Sequence, residues 1–161
     1  MASFAGAAAA AAVASCGASL GLLQFSSAPR VEARVAPTCP AAFAARFAGL
    51  ERMNGGTDAA AALRAAGALL EAWTAGLPRA ALPPRAAILL LSDGAFSHGG
   101  PGGRDDVHAA AAALASAGVA LACGAAGRCY DAAAGGLRGV ATAAGGLFVG
   151  LRTLDERAYW A

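Results

Sequence analysis

The residues of this chain that could do chemistry are few. They gather in two stretches, Thr57-Asp58 after a glycine pair and Asp93 to His98 after a strongly apolar run. Each has an ordinary structural use. Thr57 precedes an alanine-rich run and reads as a helix N-cap, its hydroxyl accepting from an otherwise unpaired backbone N–H. Asp93-Gly94 reads as a turn that closes a strand. Asp105-Asp106 read as the cap and first-turn acids of a later helix, where carboxylates complement the helix dipole. His98 reads as a solvated loop side chain close to Asp93, and His108 as a surface residue of that later helix.

The familiar catalytic patterns fail one by one. The segment 94–99 has the glycine spacing of a phosphate loop, but Gly100 and Pro101 stand where lysine and Ser/Thr belong. Acids at the next helix start would also repel phosphate. There is no Gly-x-Ser-x-Gly elbow for a serine hydrolase. Cys16, Cys39, Cys123 and Cys129 form no CxxC pair and no zinc-type spacing. Cys123 lies in an apolar run and reads as a small buried hydrophobe. Cys39 and Cys129 lie near turn residues and are free to pair in an oxidising compartment, one of the three pairings that four cysteines allow. The expectation is a chain that is not an enzyme and takes no organic cofactor.

Composition narrows the class further. A chain of 161 residues suits one domain, and 58% hydrophobic against 14% charged residues excludes disorder. Much of the apolar content is alanine, which favours helix but buries little area, so helices should form easily and pack thinly. All 12 basic residues are arginine and they are scattered; at net charge +2 no nucleic-acid footprint exists. No apolar stretch reaches the ~18 residues of a membrane span. Val13-Ala14-Ser15-Cys16 has the look of a lipoprotein signal tail, but residues 1–15 hold no Arg or Lys, so the run reads as an alanine-rich helix. The compartment stays open.

The elements that must position Thr57 and Asp93 follow from pattern. Leu20–Phe25 is almost continuously apolar, as in a strand buried on both faces. A Ser26–Pro29 turn joins it to Val31–Val35, whose alternation predicts an antiparallel edge strand. Ala41–Leu50 reads as a short helix, and Thr57 opens a longer one through about Trp73, stopped by Gly76 and Pro78. Ala86–Ser92 is the most hydrophobic strand. A glycine-rich loop to Arg104 leads into a helix that Gly118 ends; Val119–Cys123 is a buried strand. Residues 131–144 read as a helix, Leu147–Val149 as a last strand, and residues 3–15 and 154–160 as terminal helices. Buried strands alternating with helices predict an α/β fold, doubly wound, with a mostly parallel sheet and helices on both faces.

Three segments, in this order and spacing, carry a resemblance. Leu20–Val35 (LGLLQFSSAPRVEARV) looks like the second and third strands of a von Willebrand factor type A domain. Leu50–Leu63 (LERMNGGTDAAAAL) is similar to that family's Gly-Gly-Thr-Asp loop and helix start, and Ile88–Gly94 (ILLLSDG) to its strand ending in Ser/Thr-Asp-Gly. The last two strand–helix units fit as well, so the likeness spans roughly residues 17–155. It implies the Rossmann-like winding, one antiparallel edge strand, and a metal-ion-dependent adhesion site for Mg²⁺ (or Mn²⁺ or Ca²⁺). In that site Thr57 and Asp93 match the second and third ligand loops. The family's first ligand loop, Asp-x-Ser-x-Ser after a central first strand, is missing. The resemblance therefore implies an N-terminally incomplete domain with too few oxygens for a full cation shell. It leaves Leu20–Phe25 and Ala86–Ser92 either to pair directly or to keep unsatisfied backbone groups. The function it implies is a non-enzymatic, adhesion-type module that binds a protein ligand, with an impaired cation site. The alternatives are a nucleotide- or small-molecule-binding enzyme domain of doubly wound type, or a degenerate fragment without autonomous function.

Overall fold

The computed structural model describes residues 19–51, 53–78, 86–92, 103–125 and 136–150. Asp93, His98, Cys16, Cys129 and the expected terminal helices lie outside the described residues.

The first unit is a hairpin. Strand β1 (Ser19–Phe25) pairs antiparallel with β2 (Pro29–Pro37), as the alternating pattern and the short turn predict. The register slips twice: Gly21 faces two residues, Arg34 and Val35, and Glu32 is an extra residue between the pairs Leu22–Ala33 and Leu23–Val31. Both irregularities add residues to β2, so that strand carries two bulges. A helix, α1 (Pro40–Ala48), follows with proline in its first turn, where the missing N–H costs nothing, and buries Phe43.

The second unit is a parallel sheet. Strands β3 (Ala86–Ser92), β4 (Val119–Ala125) and β5 (Leu147–Gly150) lie in that order, β3 and β4 in unbroken register from Ala86–Val119 to Ser92–Ala125. Parallel neighbours need crossovers, and helices α3 (Arg104–Ser116) and α4 (Leu137–Ala143) lie within these connections. The sheet alternates in burial. Leu90, Leu121, Cys123 and Ala125 are buried in the core cluster, with Ile88, Val119 and Phe148 packed against it, while Leu89, Leu147 and Val149 stay exposed. The chain is thus a mixed α/β fold with a three-stranded parallel sheet. Among the described residues β1 and β3 belong to different sheets and do not pair.

The long helix α2 (Ala59–Ala75) joins the two units, packing on β1 and β2 and against α3. Ala59, Ala60 and Leu63 from α2 share one cluster with Val107, Ala110, Ala111 and Leu114 of α3 and Leu137, Val140 and Ala141 of α4. Alanines let these helices approach closely, so the few larger side chains supply most of the apolar area. Leu63, Leu121, Val107 and Val140 are the largest fully buried ones apart from Cys123, each contributing about 2 kcal/mol.

Two caps differ from the sequence reading. Asp58, not Thr57, is the N-cap of α2, its carboxylate accepting from the Ala61 N–H at 2.8 Å. Either side chain suits that position; the choice is made by the Asp58 N–H, which donates to the Ser26 carbonyl at 2.7 Å. Gly103 caps α3, so Asp105 and Asp106 both fall in its first turn. There they act on the dipole rather than as caps.

Candidate functional site at the end of the first strand

Strand β1 delivers its chain into Ser26-Ser27, and this serine pair grips the Asn54–Asp58 loop at two points. The Ser27 hydroxyl accepts from the Gly56 N–H at 2.8 Å, and the Ser26 carbonyl accepts from the Asp58 N–H at 2.7 Å. Ser26 is itself buried. Gly55 makes the approach possible: its φ is +131°, and a Cβ there would stand 2.6 Å from the Ser27 hydroxyl oxygen. Thr57 is therefore held between two anchored neighbours, half-buried, at the carboxyl end of β1.

The second sequence-derived ligand is less fully placed. Strand β3 ends at Ser92, so Asp93 follows directly on its carboxyl end but lies outside the described residues, as does His98. Carboxyl ends of strands are where open α/β sheets usually meet ligands. Among the described residues no group of three or more His, Cys, Asp or Glu converges as a metal cluster would. The loop contacts bring the neutral hydroxyls of Ser26 and Ser27 against the residues before Thr57, and the neighbouring Asp58 carboxylate is spent on capping Ala61. A tightly held Mg²⁺ needs carboxylate charge and a full oxygen shell, which the described residues around Thr57 do not supply by themselves.

By its sequence Ser26-Ser27 has the pattern of a plain turn. The signal for its larger role was present, a serine pair directly after an apolar strand, but nothing local shows that its partners stand near residue 56.

Other features offer less. An open groove of about 660 Å³ lies between β2, α1 and α2, with Val31, Ala33, Ala65, Ala68 and Leu69 along it and Glu32, Arg34 and Arg46 at its polar part. Glu32 is engaged by Arg30, so no free acid–base pair converges there. Cys39 carries a free, exposed thiol at the N-cap of α1. Hydrogen bonds from the Ala42 and Ala41 amides hold its pKa below the ordinary thiol value. Burial pushes the Cys123 thiol up to about 11. His108 is half-buried on α3, further from solvent than expected.

No protein-family profile and no curated protein matches this chain. Among solved structures it is similar to conserved hypothetical protein BatB from Bacteroides thetaiotaomicron, with a TM-score of 0.63, 14% identity, and coverage of 89% of this chain and 75% of that one. An uncharacterized membrane spanning protein from Vibrio fischeri overlaps 98% of this chain and 80% of its own at 17% identity, with a TM-score of only 0.38. The BatB likeness concerns the fold alone. Among the described residues no helix is long and apolar enough to cross a membrane.

Proposed function

We propose that this chain is a non-enzymatic, protein-binding module of von Willebrand factor A type, doubly wound, whose recognition edge is formed by the loops at the carboxyl ends of β1 and β3. The observation that carries this reading is the double grip of Ser26-Ser27 on Gly56 and Asp58. It brings together two segments that the resemblance treats as separate motifs and holds Thr57 near the carboxyl end of β1, which supports the role in ligand binding that the resemblance implies for that hydroxyl. The fold likeness to BatB supports the same reading. Because the described donors do not by themselves suit a tightly bound divalent cation, recognition at this edge proceeds without one.

Titration calorimetry with Mg²⁺ and with Mn²⁺ tests the cation half of the proposal. No saturable binding in the micromolar range is expected. Micromolar binding lost in both Thr57→Ala and Asp93→Ala would restore a complete cation site. Micromolar binding that survives both substitutions would remove these two residues from any site. The binding half is tested by a photo-crosslinking residue at Asn54, which should form adducts with a protein partner that the same probe at Ala36 does not. Strong thermal stabilisation by a nucleotide would instead favour an enzyme.

A further inference from the structure

The open groove of about 660 Å³ between β2, α1 and α2 combines two kinds of lining. Apolar surface comes from Val31 and Ala33 of β2 and from Ala65, Ala68 and Leu69 of α2. Val31 is 47% exposed and Ala68 is exposed as well, so this surface meets water. Charge comes from Arg34 of β2 and Arg46 of α1, both exposed, and from Glu32. The Glu32 carboxylate is committed to Arg30, and Arg46 donates to the Glu32 backbone carbonyl, which anchors its guanidinium without neutralising it. Among the described residues neither Arg34 nor Arg46 has a carboxylate partner. The groove therefore sets apolar surface beside two uncompensated guanidinium charges.

We infer that this groove docks an amphipathic helix of a partner protein, one with a leucine-type apolar stripe and Asp or Glu along its flank. Charge complementarity selects an acidic occupant. Guanidinium forks bind carboxylates in a bidentate way, and a basic segment is repelled. The surroundings select a helix. β2 carries two bulges, a proline at each end and the Arg30–Glu32 pair, all of which oppose strand addition. Ala33, Ala65 and Ala68 are small enough to let a helix come close, and its apolar stripe then covers Val31 and Leu69. An open groove leaves the polar face of that helix in water, whereas a small molecule needs enclosure over most of its surface. The chain's own undescribed residues complement the groove poorly. They hold six arginines against four acids, Asp93, Asp131, Asp155 and Glu156, and Arg157 adjoins the one acid pair among these. This inference does not depend on Thr57, Asp93 or a cation.

Fluorescence anisotropy on the full chain tests it, with a labelled probe peptide of about fourteen residues carrying leucine at alternating three- and four-residue spacing and glutamate between. Saturable binding is expected, weakening as salt rises. The same peptide with lysine in place of glutamate should bind about tenfold more weakly or worse. The double variant Arg34→Glu/Arg46→Glu should weaken binding of the acidic peptide by about tenfold or more. Arg64→Glu, at an exposed position of α2 outside the groove lining, should leave it within about twofold. Ala68→Trp fills the groove from an exposed position and should abolish binding. Circular dichroism checks that each variant folds like the parent. The inference is overturned if the acidic peptide does not bind, if the lysine peptide binds equally well, or if Arg64→Glu costs as much as the double variant. An affinity raised about tenfold in Asp155→Asn/Glu156→Gln assigns the groove to the chain's own C-terminal segment and overturns the partner. So does a doubled mass in light scattering without peptide that Ala68→Trp abolishes, which assigns the groove to a second copy.

Discussion

At position 58 a single aspartate serves two partners, its carboxylate capping Ala61 and its N–H donating to Ser26. Asp58→Ala removes the cap but keeps the backbone bond, so the expected loss is about 1 kcal/mol in denaturant unfolding. Gly55→Ala should cost more, about 1–3 kcal/mol, because the backbone conformation is strained for any side chain and the new Cβ meets the Ser27 hydroxyl. A Gly55→Ala protein as stable as the parent would show that the loop does not clasp Ser27. The two described thiols give a pH test. Cys39, held below the ordinary range, should be alkylated by iodoacetamide with a rate rising through a pH below the usual thiol value of 9.0. Cys123 should stay protected in the native state until unfolding, as peptide mapping would reveal. Its folded pKa is raised from 9.0 to about 11, so its contribution to stability is fully present below pH 9 and is lost as pH rises from there toward 11.

At the scale of elements, some boundaries were legible in the sequence and others were decided by neighbours. Ala86–Ser92 was read with its final bounds because Pro83-Pro84 and Asp93-Gly94 bracket a continuous apolar run. The β1–β2 hairpin was legible from its alternation and serine turn. The bulges of β2 were not, since a period-two reading carries no register across strands. The cap of α2 was misread by one residue because Thr57 and Asp58 are both competent caps, and a tertiary hydrogen bond broke the tie. Of the candidate site, Thr57 was found through a resemblance, but the serine clamp around it needed contacts across some thirty positions (Ser27 to Gly56) that no local pattern encodes. The turn into β5 adds a further test. Gly146 lies so close to β4 that a Cβ would stand 2.0 Å from the Leu121 carbonyl oxygen. Gly146→Ala must push β5 away from β4, and a destabilisation of about 1–3 kcal/mol or more is expected, with the loss concentrated in β5 amide protection.

Among the described residues the molecule is two small sheets joined by the long helix α2. Neither sheet is large enough to stand alone: an isolated hairpin is marginal in water, and a parallel sheet covered on one side leaves Leu89, Leu147 and Val149 in solvent. Among the described elements the coupling therefore runs mainly through α2, which touches β1 and β2 on one side and α3 on the other, with Phe25 of β1 adding the hairpin's own contact to the core. Leu63, 1% exposed, is its largest buried side chain and lies in the shared cluster. Leu63→Ala leaves a cavity that alanine-lined neighbours cannot fill, and the expected cost is about 2–5 kcal/mol. The more telling readout is where the loss appears. If α2 is the coupling element, the variant should lower amide protection in the hairpin and in β3–β4 by the same amount, as one cooperative unit. Leu137→Ala, a comparably buried position on α4 remote in sequence from the hairpin, should act first on β4 and β5. Separate melting of the hairpin in the parent chain would refute this coupling, and it would locate the core of the fold in the parallel sheet alone.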